Sequence, residues 1–260
     1  MELELAGKVA VITGASKGLG RSIAQVLAAE GMHIAIAARN GAALEELAAS
    51  VAASGGQALC FPVDLTDPGA AIRLVDATLA RFGRLDLIVN NAGATKRGDF
   101  LQLTDQDWHD GYELKFHGAV RLCRAAWPHL IKTHGSIVNI AGVGGRTGSA
   151  EFTLGGSVNA ALSLFTKALA DRGVTDGVRV NAINPGAFAT DRLKLRINKL
   201  AADEHLSESH AAGKLAAHER IARFGLPTEI GDAIAFLASS RAAYIHGAVI
   251  DIDGGLTRAL

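Results

Sequence analysis

Residues 9–20 read Val9-Ala10-Val11-Ile12-Thr13-Gly14-Ala15-Ser16-Lys17-Gly18-Leu19-Gly20. The first part, short and rich in β-branched residues, suits a strand covered on both faces. It runs without a linker into a turn carrying Gly14, Gly18 and Gly20, after which the pattern becomes helical. A glycine-rich turn between strand and helix lets backbone N–H groups approach a pyrophosphate, and it aims the positive end of the helix dipole at that phosphate. The glycines alone are a weak signal. Their context is stronger, because a strand precedes, a helix follows, and a second strand ends about 20 residues further on. A nucleotide-binding strand–helix–strand unit is therefore the expected start of this chain.

The rest of the sequence continues the alternation. Runs at 9–13, 33–37, 58–63, 85–90, 136–141, 178–184 and 248–252 are nearly continuous in apolar residues, as buried parallel strands are. Helical patterns lie between them at 20–30, 42–53, 70–82, 105–133, 151–173 and 229–239. This order predicts an α/β fold of Rossmann type, a doubly wound parallel seven-stranded sheet in three layers. No repeat or low-complexity linker divides residues 1–260, so one domain is expected. Only 189–224 breaks the rhythm, being charged, rich in Ala and His, and without a strand. It reads as two helices inserted before the last helix and strand, either a solvated excursion or a lid over a substrate.

Composition narrows the partners. Hydrophobic residues make up 49% and charged residues 20% of the chain, which fits a globular protein with a substantial core. Lys and Arg number 26 against 26 Asp and Glu, and no block of like charge stands out. Nucleic acid and anionic membranes are thus not expected partners. The acidic start, Met1-Glu2-Leu3-Glu4-Leu5, lacks the regions of a signal peptide, and no apolar run approaches the roughly 18 residues of a membrane span, so a cytoplasmic location is expected. Cys60 and Cys123 are the only cysteines. Neither they nor the scattered histidines have metal-ligand spacing, so reduced thiols and no metal are expected.

The end of the second strand bears on the choice of nucleotide. A carboxylate there would hydrogen-bond a ribose 2′-hydroxyl, whereas a 2′-phosphate calls for a cation. This chain has Ala37-Ala38-Arg39-Asn40, with no acid. Arg39 can stack on adenine and pair with a 2′-phosphate, and Lys17 lies in the glycine turn nearby. NADP(H) is the cofactor these residues favour.

The glycine turn resembles the TGxxxGxG signature of the classical short-chain dehydrogenase/reductases. Further matches follow in order at Asp64-Leu65, Asn90-Asn91-Ala92-Gly93, Asn184-Pro185-Gly186 and Asp253-Gly254-Gly255. The resemblance implies that Gly14, Ser16, Lys17, Gly18, Leu19 and Gly20 hold the cofactor's phosphates, with Arg39 and Asn40 at its ribose. It implies adenine contacts from Asp64 and Leu65, a groove lined by Asn91, Ala92 and Gly93, and a nicotinamide side held by Pro185, Gly186 and Thr190. It also implies a small-molecule substrate and a homotetramer, or a homodimer, built on helix 151–173 and the last strand.

One part of the family pattern is missing. In that family a tyrosine exchanges the proton at the substrate oxygen, and a lysine four residues later lowers the tyrosine's pKa and binds the ribose. A serine polarises the substrate oxygen and an asparagine holds a water. Aligned on Ala160-Ala161-Leu162, the tyrosine position is Gly155 and the lysine position Asn159. The serine falls on Gly142 and the asparagine on Lys115. The only tyrosines, Tyr112 and Tyr244, lie outside helix 151–173, so no shift of alignment restores the pair.

Two readings follow. The site has decayed, leaving an NADP(H)-binding protein with a regulatory or assembly role, or it has been rebuilt. In a rebuilt site Gly142 and Gly155 open volume beside the nicotinamide. Lys115 extends an amine of depressed pKa into it as the catalytic group, and Asn159 keeps a ribose contact. Tyr112, one turn before Lys115, is expected in the core, while Arg146, Thr147, Ser149 and Glu151 are placed to contact a polar substrate. The rebuilt reading implies an NADP(H)-dependent oxidoreductase acting on a carbonyl or an alcohol with a non-standard active site.

Overall fold

A computed structural model of the chain describes residues 2–258; Met1, Ala259 and Leu260 lie outside the described residues. Strands β1 (Val9–Thr13), β2 (His33–Ala38), β3 (Ala58–Pro62), β4 (Leu87–Asn90), β5 (Ser136–Ile140), β6 (Arg179–Pro185) and β7 (Val249–Ile252) form one sheet. Their order is β3-β2-β1-β4-β5-β6-β7, and every pairing is parallel. The seven expected strands are all present, with ends that differ by at most two residues. Strand β4 starts later than its apolar run because Asp86 does a different job, its carboxylate accepting from the Val9 N–H at 2.8 Å.

The helices are α1 (Gly18–Ala29), α2 (Gly41–Ala53), α3 (Ala70–Phe82), α4 (Asp105–Tyr112), α5 (Gly118–Thr133), α6 (Thr153–Asp176), α7 (Asp191–Asp203), α8 (Glu208–Glu219) and α9 (Pro227–Ala238). Side-chain alternation along the strands sorts them into two layers. Ala10, Ile12, Ile34 and Ile36 face a core that includes Ile23 and Leu27 of α1, Leu44 and Leu47 of α2, and Ile230 and Ile234 of α9. Val11, Ala35, Ile88 and Ile137 face the other core, with Leu74 of α3, Leu122 and Leu130 of α5, and Ala170 of α6. The stretch 189–224 holds α7 and α8 and no strand. No helix among the described residues is long and apolar enough to cross a membrane.

Strand order reverses between β1 and β4, and a parallel sheet opens a crevice above the carboxyl ends of its strands at such a point. Thr13 and Asn90 end the two strands there. The helix expected over 105–133 is continuous but changes its hydrogen-bond spacing at Glu113–His117, a π-helical turn between α4 and α5. Arg121 of α5 holds Glu113 at 2.5 Å, which anchors that turn. An inserted π turn re-aims the side chains it carries and is common at functional sites. Lys115 is its middle residue.

A buried amide relay fixes α6 against the sheet. Asn90 Nδ2 donates to Asn139 Oδ1 at 2.8 Å, Asn139 Nδ2 donates to the Thr166 hydroxyl at 2.9 Å, and that hydroxyl donates to the Leu162 carbonyl at 2.9 Å. The relay sets the height of α6, and so the position of Asn159 near its start. Replacing Asn139 by Leu keeps the branched shape but removes the oxygen acceptor of the buried Asn90 amide, leaving it only the weak Cys123 Sγ at 3.3 Å. The expected cost is about 2–4 kcal/mol, read as a lower urea midpoint with an unchanged slope. A midpoint within error of the unmodified protein would contradict the relay's role.

Candidate active site

The glycine turn needs left-handed backbone, with φ of 67° at Gly14 and 58° at Gly18. Side chains at these positions would be strained. Gly20 is glycine for a different reason. A Cβ there would lie 2.3 Å from the Gly14 carbonyl oxygen and 2.5 Å from Asn91 Nδ2, so its absence lets α1 pack onto the turn. Asn91 closes the arrangement, Nδ2 donating to the carbonyls of Thr13 and Gly14 at 3.0 and 3.2 Å. The Thr13 hydroxyl accepts in turn from the backbone N–H groups of Asn91 and Ala92, both at 3.0 Å. Asn91 therefore builds the cradle instead of pointing into it.

Helix α1 begins without a side-chain cap at Lys17, whereas Asn40, Thr104 and Ser207 cap α2, α4 and α8 with side-chain oxygens. The first N–H groups of a helix have no partner within it, so this uncapped end suits a bound phosphate. Lys17 is exposed, and Ser16 and Leu19 are half-buried beside it. A Cβ on Gly18 would sit 3.8 Å from the Thr190 methyl, so the turn and the segment after β6 face each other.

The remaining cofactor candidates line the same edge. Arg39 is exposed at the end of β2. Asn40 Oδ1 is committed to capping α2, accepting from the Ala43 N–H at 3.2 Å. After β3, Leu65 is buried and Asp64 exposed. Asp64 accepts from the N–H and hydroxyl of Thr66, and these bonds, with a smaller contribution from the Arg39 charge, hold its carboxyl below the usual range. The Gly186 N–H donates to the Ile252 carbonyl at 3.0 Å, tying the Pro185–Gly186 turn to the end of β7.

Lys115 reaches inward from the π turn. Its Nζ donates to the Ala141 carbonyl at 2.6 Å and to Asn159 Oδ1 at 2.5 Å. Its stem lies on Gly93, where a Cβ would come within 2.8 Å of Lys115 Cδ. Burial, with the nearby Arg192 charge second, lowers its pKa from 10.5 to about 7. Asn159, 4% exposed, spends its oxygen on that amine. Only its Nδ2 remains for any ribose contact.

The volume expected at Gly142 and Gly155 is not open. A Cβ on Gly155 would lie 2.1 Å from the Phe152 ring and 2.7 Å from the Thr95 hydroxyl. A Cβ on Gly142 would lie 2.8 Å from Asn159 Nδ2, and its φ of 146° disfavours any side chain. Without a side chain at 155, the ring from the short turn Ala150–Phe152 takes that space, since an unfilled gap would forfeit its dispersion contacts. Arg97 stacks on the ring with its guanidinium carbon 4.2 Å from the centroid.

Arg97, Phe152 and Arg192 are functional candidates that sequence reasoning passed over. The one available hint was an aromatic residue three positions before the glycine pair Gly155-Gly156. Arg146, by contrast, pairs with Asp251 at 3.0 Å, and the Thr147 hydroxyl donates to the Val143 carbonyl, so both serve the framework. Ser149 and Glu151 are exposed, and the Glu151 carbonyl accepts from the Gly98 N–H. Tyr112 packs edge-on against Phe116 with centroids 6.1 Å apart, in an apolar contact. Among the described residues no group of His, Cys, Asp and Glu is arranged to hold a metal ion.

Comparison with known proteins bears on the family and the fold. A family model described as Enoyl-(Acyl carrier protein) reductase matches residues 14–257. The chain is 33% identical to the 3-oxoacyl-(acyl-carrier-protein) reductase FabG of Escherichia coli K12 over 251 residues, covering 96% of this chain and 97% of that protein. Among solved structures, L-sorbose reductase from Gluconobacter frateurii, complexed with NADPH and L-sorbose, superposes with a TM-score of 0.96 at 33% identity over 100% of both chains. A 7α-hydroxysteroid dehydrogenase complexed with NADH and 7-oxo glycochenodeoxycholic acid superposes with a TM-score of 0.89 at 29% identity, covering 98% of this chain and 96% of that one. Likeness of this extent, in sequence and in backbone, places the chain in the classical short-chain dehydrogenase/reductase family of oxidoreductases.

Proposed function

We propose that this protein is an NADP(H)-dependent oxidoreductase that interconverts a carbonyl and an alcohol in a small-molecule substrate, with Lys115 exchanging the proton that tyrosine handles elsewhere in the family. The observation that carries this reading is the pair of acceptors on the Lys115 amine, Ala141 O and Asn159 Oδ1. A charged amine has three N–H bonds, so two are fixed and one is left. A neutral amine keeps the same two bonds and turns its lone pair to the vacant direction. Gain or loss of the proton thus leaves the supporting contacts in place.

Phosphate groups of the cofactor fit the uncapped end of α1 at Gly14, Ser16, Gly18, Leu19 and Gly20, inside the cradle that Asn91 closes. Lys17, Arg39 and Asn40 are assigned to the 2′-phosphate, Asp64 and Leu65 to adenine. Ala92, Gly93, Asn159, Pro185, Gly186 and Thr190 are assigned to the nicotinamide half. Relatives complexed with NADPH and with NADH both occur, so the preference rests on this chain's cations and on the lack of an acid at 37–40. The reduced cofactor, when bound, supplies a hydride to the carbonyl carbon. Lys115 supplies the proton to the carbonyl oxygen as charge builds there, and Asn159 and the Ala141 carbonyl aim the amine. A pKa of about 7 keeps donor and acceptor forms both available near neutrality.

Helices α7 and α8 are read as a lid over this cleft. Leu164 and Val174, 72% and 73% exposed on α6, support assembly into the homotetramer usual for the family. The alternative, an NADP(H)-binding protein without turnover, draws support from the Phe152 ring that fills the space at Gly155. Turnover separates the two.

Calorimetric titration is expected to show NADPH binding more tightly than NADH. Arg39→Ala should remove about 1.5–3 kcal/mol of that difference, roughly ten- to hundred-fold in Kd. Equal affinities in the unmodified protein would contradict the cofactor assignment.

Lys115→Met should retain NADPH affinity while single-turnover reduction of a responsive carbonyl compound falls about 10²–10⁴-fold. In the unmodified enzyme reduction needs the charged amine, so its rate should fall as pH rises through about 7. Folding stability moves the other way. The unfolded chain holds the proton up to 10.5 and the folded one only to about 7, so stability should rise with pH across that window. Urea titrations at several pH values should show that rise in the unmodified protein and its loss in Lys115→Met. Unchanged hydride transfer in the variant would sink the proton-donor role.

Restoring the family pattern with Gly142→Ser, Gly155→Tyr and Asn159→Lys together should give no activity and lower stability. Phe152 blocks the new ring, and overpacking of this kind costs about 1–3 kcal/mol or more. A large gain in carbonyl reduction by the triple variant would instead mark the native site as decayed.

A further inference from the structure

The cations around the cleft are arranged in a way that proton transfer alone does not require. Arg97 lies in the segment after β4, stacked on Phe152, and the Gly98 N–H pins this segment to the Glu151 carbonyl at 3.1 Å. Stacking uses the face of the guanidinium and leaves its N–H edge free to bind. Arg192 enters from the first turn of α7 and is close enough to repel both the Arg97 guanidinium and the Lys115 amine. Arg196 also faces Arg97 but is neutralised by Glu219 at 2.7 Å. Glu151 is the other acid within reach of Arg97, and like both arginines it is exposed. Among the described residues neither Arg97 nor Arg192 has a hydrogen bond or an ion pair.

Arg97 after β4 and Arg192 at the start of α7 are both exposed and within electrostatic reach of each other, Arg192 also of the buried Lys115 amine, and Arg97 is fixed in place by its stack on Phe152. Like charges gathered at a surface raise the local potential, and such a patch concentrates an anion. Arginine's planar fork matches the geometry of carboxylate and phosphate.

We infer that the substrate carries an oxyanion, a carboxylate or a phosphate, received by Arg97 and Arg192 above the Phe152 ring while its carbonyl faces Lys115. This rests on the reading of the cleft as an active site and names the substrate class for it. A consequence concerns Lys115 itself. Burial is the larger cause of the amine's low proton affinity and the Arg192 charge the smaller, so an anion beside Arg192 offsets that second part and draws a fraction of a proton onto the donor.

The test is a calorimetric titration of malonate and of inorganic phosphate into the full chain saturated with NADPH, which occupies the cofactor's own phosphate site. One or both probes should bind, and the tighter of the two identifies the oxyanion. Arg97→Gln and Arg192→Gln should each weaken binding at least tenfold while NADPH affinity, the check on folding, stays unchanged. Arg97→Lys, which keeps charge but loses the fork, should fall between. Near pH 7.5 binding should take up a fraction of a proton, read in buffers of different ionisation enthalpy, and Lys115→Met should abolish that uptake. Absence of binding by both probes, or binding undiminished in both glutamine variants, would overturn the inference. Probe binding without turnover on any carbonyl would instead count against the proposed reaction and leave the oxyanion site standing.

Discussion

A buried amine must find acceptors, and the centre of this molecule is organised around those that Lys115 finds. The Ala141 carbonyl and Asn159 Oδ1 both have to be aimed at one nitrogen from different elements. Ala141 follows β5, and the next residue's N–H is held by Asn184 Oδ1, whose amide donates to Asp251, which in turn pairs with Arg146. Asn159 stands where it does because the Asn90–Asn139–Thr166 relay sets the height of α6. Two polar chains, one through β6 and β7 and one through β4 and β5, therefore converge on the same amine. Each is worth little if the other fails, because a half-satisfied buried network costs more than an apolar one.

The two ends of the crevice follow different logic. At the glycine turn side chains shape the backbone, Asn91 spending its amide on the carbonyls of Thr13 and Gly14. Around Lys115 the polar contacts run instead through side chains, with Asn159 Oδ1 and Asn184 Oδ1 as acceptors. Substitution is tolerated differently at each. A Cβ at Gly20 collides with backbone, which cannot move aside, whereas a Cβ at Gly155 meets the Phe152 side chain from the Ala150–Phe152 turn. The same ring gives Arg97 a surface to stack on.

Much of the fold was legible because it is written in local patterns. Apolar runs marked all seven strands, glycine placement marked the first turn, and the stretch 189–224 read as helical without a strand. The residues Lys115, Gly142, Gly155 and Asn159 drew attention from their order along the chain alone. The inward direction of Lys115 was legible too, from its apolar neighbours Leu114 and Phe116.

Sequence order by itself determined the alternation of elements, the glycine cradle, the missing acid at the second strand and the absence of a tyrosine in α6. Tertiary structure alone decided what those absences mean. Glycine at 142 and 155 reads as empty space when only the chain is known, yet whether a gap stays open depends on which side chains can reach it. Phe152 reached one and Asn159 the other. The π turn at Glu113–His117 was likewise invisible, because it changes hydrogen-bond spacing without a proline or glycine to mark it. The approach of Arg192 to both Lys115 and Arg97 joins residues far apart in the chain, and electrostatic proximity of that kind exists only after the helices have packed.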